Sequence, residues 1–238
     1  MRAGFTLCTC VLFATAAQAD DGAAAFQHSV DRVAIVNCID RDWNTCSGSA
    51  VVMTPEGVLL TAAHVIRSGG PVLVMFPARD KDGRVIAEAK HYADNQAALV
   101  VPYLVVAVDA KRDLALLKPK LPRTGMKAVS ISPEEVSPGQ SVFAIGSGNT
   151  IKFRYSSGAV KAVHQCRFTT DTGITEGRII DSTTDFAPGD SGGPLLTMQG
   201  SLVGINVAIE TSSGTRKSIA LSEIVAFMHE TTAKPAAP

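Results

Sequence analysis

The chain has 238 residues, of which 46% are hydrophobic and 18% charged, and its 22 basic and 22 acidic side chains cancel. That is enough chain for one large domain or two small ones around a substantial core. A net charge of zero gives no sign of a nucleic-acid or membrane-surface partner.

The first residues read as a signal peptide. Arg2 supplies the positive start, and Phe5 to Ala17 is an apolar run too short to span a bilayer. Ala17-Gln18-Ala19 has the A-x-A form of a cleavage site, which makes Asp20 the expected mature N-terminus. The expected address is therefore periplasmic or secreted, in a bacterium. No later segment is apolar for long enough to anchor the chain, so no membrane anchor is expected after cleavage. Cys8 and Cys10 leave with the signal peptide, and Cys38, Cys46 and Cys166 remain in an oxidising compartment. Cys38 and Cys46 enclose the polar loop Ile39–Thr45 between two apolar runs, where a hairpin disulfide is expected; Cys166 is left over and reads as an inert thiol.

Residues 20–28 are small and polar-leaning and read as a flexible lead-in. The β pattern begins at Val30–Val36. Ala50–Met53 and Val58–Thr61 are strands joined by the turn Thr54-Pro55-Glu56-Gly57, which has Pro and Gly where turns favour them. Val72–Phe76 is a further strand. Residues 77–101 have no clear pattern, and Arg84–Leu99 is compatible with a short helix or a long surface loop. Strands resume at Val105–Val108 and Leu114–Lys118, and Pro119–Pro138, rich in Pro and Ser, reads as a crossing between two halves. Ser141–Gly146, Ala159–Val163, Arg178–Asp181, Pro194–Met198 and Leu202–Ala208 are strands; Ser222 caps a closing helix through His229, and residues 231–238 are expected to be disordered. Short strands at this spacing, with turn signals between them, indicate an all-β sandwich or barrel.

Three stretches carry chemistry. Phe186-Ala187-Pro188-Gly189-Asp190-Ser191-Gly192-Gly193-Pro194 sets a serine among glycines, with backbone freedom to turn successive N–H groups toward one point beside its hydroxyl. Such a concavity suits the oxyanion formed when a nucleophile attacks a carbonyl. A hydroxyl is a poor nucleophile until a base takes its proton. Thr61-Ala62-Ala63-His64-Val65 offers the base, and Arg112-Asp113-Leu114-Ala115-Leu116-Leu117 an acid to orient it. The chain order His, Asp, Ser matches one of the convergent triad arrangements, and His64, Asp113 and Ser191 each sit beside an apolar strand.

These motifs in this order resemble the trypsin-fold serine proteases, and most of all the protease domain of bacterial HtrA-type (Deg) enzymes, from about Ser29 to about Phe227. Val142-Phe143-Ala144-Ile145-Gly146 and Ser157-Gly158-Ala159-Val160 match the start of the second barrel of such domains. The resemblance implies two six-stranded antiparallel β-barrels with a short C-terminal helix. The domain would occupy 29–230, with the first barrel at about 29–118, the second at about 139–220, and the site in the cleft between them. It implies a serine endopeptidase acting on a protein or peptide: Ser191 as nucleophile, His64 as base, Asp113 as its orienter, the N–H groups of Gly189 and Ser191 as oxyanion hole. No cofactor or metal is implied, and no PDZ domain is expected. The oligomeric state is not legible. A non-catalytic relative binding extended peptides in the same cleft is the alternative, although binding alone needs none of the three triad residues.

Gly189-Asp190-Ser191-Gly192-Gly193 also fits the G-x-S-x-G elbow of lipases and esterases. That fold requires an acid and then a histidine after the serine. Only Glu210 and Glu223 precede His229 there, and the alternating helices are missing. His28, His91, His164 and His229 stand alone, without metal-ligand spacing.

The comparison with animal trypsins sets further expectations. Asp185, six residues before Ser191, stands where an acid selects Arg or Lys in the primary pocket, while Phe186 and Ala187 set pocket size if the loop differs. Asn206-Val207-Ala208 is an edge that can pair with substrate backbone, or an ordinary strand. Cys46 sits where trypsins bridge to a cysteine just after the catalytic histidine; Val65 stands there instead, so Cys46 needs another partner. Asp190 is commonly asparagine in HtrA-type enzymes and in trypsins pairs with a freed N-terminus. Arg32-Val33-Ala34-Ile35 lacks the glycines of that activation sequence and lies too close to His64, so activation by that route is not expected. The partner of Asp190 is left open.

Overall fold

In the computed structural model the apolar runs of the first half of the chain close on themselves. The structure describes residues 14–39, 45–66, 69–148, 150–170, 173–210 and 212–233. Strands β1 (Val33–Ile39), β2 (Thr45–Val52), β3 (Leu59–Ala62), β4 (Val72–Met75), β5 (Val101–Asp109) and β6 (Leu114–Pro119) form a closed antiparallel barrel in the order β1-β2-β3-β6-β5-β4. All of β3 and the first four residues of β6 are buried. Continuous apolar runs of this kind belong to strands covered on both faces. Here the second half of the chain supplies the outer cover, with Gly192 lying against Thr61 and Ala62.

The second half contains β7 (Ser130–Ile131), β8 (Ser141–Gly146), β9 (Arg154–Thr170), β10 (Gly173–Ser182), β11 (Pro194–Thr197), β12 (Ser201–Glu210) and β13 (Thr215–Ala220). Its sheet runs β11-β8-β9-β10-β13-β12, and pairing of β11 with β12 joins the two ends into a second six-stranded antiparallel ring. The short β7 adds to β12 in parallel. The two-barrel architecture is thus as expected.

Some elements differ from the sequence reading. β13 was not expected, because Thr215-Arg216-Lys217-Ser218 has no apolar pattern. Its polar groups are paired inside: Lys217 Nζ lies 3.1 Å from Asp181, and Ser218 Oγ donates to Asn206 Oδ1 at 2.9 Å. Of the two options for residues 84–99, helix forms only in part, as α2 (Ala89–Asp94) and α3 (Gln96–Leu99) after a loop. Tyr92 pins this segment: its ring is buried, and its hydroxyl accepts from Ala78 N–H and donates to the Ile86 carbonyl. Residues 20–28, read as a lead-in, lie in helix α1 (Ala14–Ser29), whose alanines favour helix and whose Ala25 is buried. The closing helix, α4, runs Leu221–Ala233, so residues 231–233 of the expected tail are helical. Residues 1–13 of the expected signal peptide, the hairpin loop 40–44 and the tail 234–238 lie outside the described residues. No described helix is long and apolar enough to cross a membrane.

The register of β1 with β2 sets Cys38 directly opposite Cys46, and the two form a disulfide with Cα atoms 5.1 Å apart. Cys166, on β9, is a half-buried free thiol.

Candidate active site

Strand pairing alone brings the acid to the histidine. β3 and β6 run antiparallel with Ala62 opposite Leu114, so the residue after β3 meets the residue before β6. Ala63 N–H donates to the Asp113 carbonyl at 3.0 Å. Residues Ala63–Ile66 then form a 3₁₀ turn that lifts His64 to the barrel rim. The Asp113 carboxylate takes both hydrogen bonds His64 offers it: Oδ1 from the backbone N–H at 2.9 Å, and Oδ2 from Nδ1 at 2.7 Å. A carboxylate only accepts, so Nδ1 carries the proton and Nε2 is left as the basic nitrogen. Asp113 is 1% exposed, which makes this a charge-assisted bond shielded from water. Its backbone has φ of 57°, a left-handed conformation that is strained for a side chain other than glycine.

Ser191 comes from the loop between β10 and β11. Gly189 has φ of 97°, and a Cβ there would stand 2.6 Å from the Ser147 carbonyl oxygen, so only glycine fits. Turn bonds from Asp190 N–H to the Ala187 carbonyl and from Gly193 N–H to the Asp190 carbonyl fix the loop, and Gly192 N–H donates to the Asn206 carbonyl. Among the described residues, the N–H groups of Gly189 and Ser191 have no protein acceptor. Ser191 Oγ makes no hydrogen bond among those residues either.

Ser49, on β2 of the first barrel, is a contact the sequence reading missed. Its N–H donates to the Ser191 carbonyl at 2.8 Å, its hydroxyl to the Gly189 carbonyl at 2.9 Å, and the same hydroxyl accepts from Ser147 N–H. One serine of the first barrel thereby holds the Ser191 loop of the second; nothing in the sequence marked it out from the other serines.

The partner of Asp190 is Arg154, at the start of β9. Arg154 Nη2 lies 3.0 Å from Asp190 Oδ2, which also accepts the Ala187 N–H at 2.8 Å. Asp190 is 2% exposed, and among the described residues its Oδ1 has no hydrogen-bond partner. Lys152 stands nearby, its ammonium on the Gly148 carbonyl at 3.0 Å; burial lowers its pKa, against the pull of Asp190. Arg154 also donates to the Asp185 carbonyl, and Arg216 of β13 donates to the Phe186 carbonyl at 2.8 Å. Two arginines thus clamp residues 185–190.

His64 and Ser191 open on one cleft of about 290 Å³, further lined by Thr169, Phe186, Ala187, Pro188, Val207, Ala208 and Ile209. Asp185 is not among these residues. Its side chain is 76% exposed and occupied by Arg216 at 3.1 Å and Arg154 at 3.5 Å. Asn206 is also elsewhere: it is fully buried, its backbone bonded to Gly192 and Gly193 and its side chain to Ser218. The strand reaches the cleft through Val207–Ile209 instead. No three His, Cys, Asp or Glu side chains among the described residues gather as a metal site.

The fold and the motifs have counterparts among known proteins. A crystal structure of the Rv3671c protease from M. tuberculosis in its active form superposes with a TM-score of 0.73 over 100% of this chain and 97% of that one, at 16% identity, a likeness of fold. Protease Do-like 1 of the Arabidopsis thaliana chloroplast is 28% identical over 74% of this chain and 36% of its own length. Serine protease HTRA1A of Danio rerio is 28% identical over 80% of this chain and 36% of its own. The chain therefore spans little more than a third of either relative. The family model described as the trypsin-like peptidase domain matches residues 48–205, about two-thirds of the sequence, from the strand that carries Ser49 past the Ser191 loop. The chain belongs to the trypsin-like peptidase family.

Proposed function

We propose that this protein is a serine endopeptidase that cleaves peptide bonds through an acyl-enzyme intermediate. In this reading Ser191 Oγ attacks the scissile carbonyl carbon, and its proton passes to Nε2 of His64. Asp113 stabilises the imidazolium through the Nδ1 bond and stays ionised itself. The carbonyl oxygen, now an oxyanion, takes the free N–H groups of Gly189 and Ser191, each such donor typically contributing about 10²–10³ in rate. His64 returns the proton to the leaving amine. Water then attacks the acyl ester by the same path, releasing the acid and restoring the serine. The observation that carries the reading is the buried Asp113 carboxylate bonded at once to the backbone and ring of His64, which shares its cleft with Ser191. A Ser191–His64 hydrogen bond is formed as substrate enters, as catalytic bonds often tighten only in the complex.

The cleft walls Phe186, Ala187, Pro188, Val207, Ala208 and Ile209 favour an apolar substrate side chain over the cation that Asp185 would have selected. The relatives' proteolytic names, the expected signal peptide at residues 1–19 and the Cys38–Cys46 disulfide support a periplasmic or secreted peptidase acting on proteins or peptides.

The test is a fluorophosphonate probe with an unfolded casein assay, applied to the protein and to Ser191→Ala. Labelling and cleavage that both disappear in the variant are expected. A folded protein that neither labels nor cleaves sinks the reading and leaves a peptide-binding relative with an unused cleft.

A further inference from the structure

The turn that carries Asp113 belongs to the first barrel but is held by the second. Asp109 Oδ1 accepts the N–H groups of Lys111 and Arg112, shaping the turn. The Lys111 carbonyl accepts Glu176 N–H of β10 at 2.9 Å, and the Lys111 ammonium lies 3.8 Å from the Glu176 carboxylate. Arg112 goes further. Its Nε donates to Glu223 of α4 at 2.9 Å, Nη1 to Asp109 at 2.7 Å, and Nη1 and Nη2 together to both carboxylate oxygens of Glu230 at 2.9 Å. Glu223 in turn accepts the Arg178 N–H of β10 at 2.8 Å, lying where any side chain at Gly177 would crowd it. The bidentate fork fixes direction as well as distance, which a lysine could not do.

This places a three-carboxylate clamp one residue from the strained backbone of Asp113. The acid–base pair sits on the first barrel and the nucleophile on the second, so their separation depends on what fixes one barrel to the other. Ser49 does this from the serine side and Arg112 from the acid side. We propose that Arg112 is a positioning residue: by tying the Asp113 turn to α4 through Glu223 and Glu230, it sets the His64–Asp113 pair against Ser191. The proposal rests on the peptidase reading for its effect on rate, and on geometry alone for its effect on the His64–Asp113 bond.

The experiment compares Arg112→Gln, Glu230→Gln and the double variant in the full chain. Two readouts are used: the rate of fluorophosphonate labelling at Ser191, and the low-field proton resonance of the His64 Nδ1–H shared with Asp113. A displacement of about 1 Å can cost about 10²-fold, so Arg112→Gln is expected to slow labelling by one to two powers of ten. Glu230→Gln should slow it less, and the double variant should be no slower than Arg112→Gln, because both remove one linkage. The low-field resonance should shift or broaden in each. Glu230 is half-exposed on α4, so its variant folds even if Arg112→Gln does not. Lys90→Gln, which breaks an exposed ion pair with Asp94, is the control and should change neither readout. Unchanged labelling and an unchanged resonance in both folded variants, or losses that add, overturn the proposal. If the unaltered protein never labels, the peptidase reading falls. The resonance then decides alone: a shift in the variants supports the clamp and its constancy overturns it.

Discussion

Replacing Arg154 by methionine keeps much of the side-chain volume but leaves the Asp190 carboxylate, among the described residues, with the Ala187 N–H as its one hydrogen-bond donor and the Lys152 ammonium as its nearby charge. Asp190 is 2% exposed, so the charge cannot turn to water, and among the described residues one of its oxygens already has no hydrogen-bond partner. Removing one partner of a buried pair typically costs about 3–5 kcal/mol. Arg154 is 25% exposed, which points to the lower end, about 3 kcal/mol, or a melting temperature lower by about 6–12 °C for a chain of this length. The effect on activity is expected to exceed what stability alone gives, because Asp190 lies between Gly189 and Ser191, the two proposed oxyanion-hole donors. If the loop relaxes enough to lose one donor, fluorophosphonate labelling of Ser191 slows by about 10²–10³. The companion variant Arg154→Met with Asp190→Asn removes the stranded charge, and most of the lost stability and some of the labelling rate are expected to return. A single variant that labels at the original rate and melts at the original temperature refutes the reasoning, since the pair would then neither shape the loop nor stabilise the fold.

Three other perturbations have defined outcomes. Asp185→Ala should leave the preference for the residue before the cut unchanged in a peptide panel, because Asp185 is engaged by Arg154 and Arg216 outside the cleft; a shift from basic to apolar preference would restore it as a selector. The Asp31 carboxyl is desolvated, which would raise its pKa, but hydrogen bonds from Lys127 and Arg79 outweigh this and hold it below the usual value. A depressed folded pKa means that the pair stabilises above the unfolded value of about 3.9 and loses this as pH falls through the folded value. Asp31→Asn should therefore lower the midpoint of urea unfolding at pH 7 and converge with the unaltered protein under strong acid; a constant difference across that range would contradict the linkage. Cys38→Ser with Cys46→Ser opens a loop of sequence separation 8, which by chain entropy costs about 2–3 kcal/mol, readable as a lower urea midpoint; equal midpoints would show that the unfolded chain is not constrained by the bridge.

Much of this was legible in the linear chain. Apolar strands punctuated by turns located most of both barrels, since a side chain's preference for the interior is a local property. His64, Asp113 and Ser191 could be picked out as candidates because each motif carries its own chemistry: a glycine-framed hydroxyl, a histidine after a buried strand, an acid before another. The Cys38–Cys46 bridge followed from two cysteines at matching ends of a hairpin. What sequence left undecided were the pairings of polar groups far apart in the chain. Asp185 at the trypsin spacing looked like a pocket base, but spacing does not fix direction, and two arginines hold it outside. Asn206 looked like an edge residue, but its amide is spent on Ser218 and its backbone on Gly192 and Gly193 of the Ser191 loop. β13 was hidden because its polar residues find partners in Asp181 and Asn206 rather than solvent. Ser49, Arg154 and Arg112 carried no local mark at all. Their partners lie 140, 36 and 118 residues away at Gly189, Asp190 and Glu230, and only the closure of two barrels against each other determines that such groups meet.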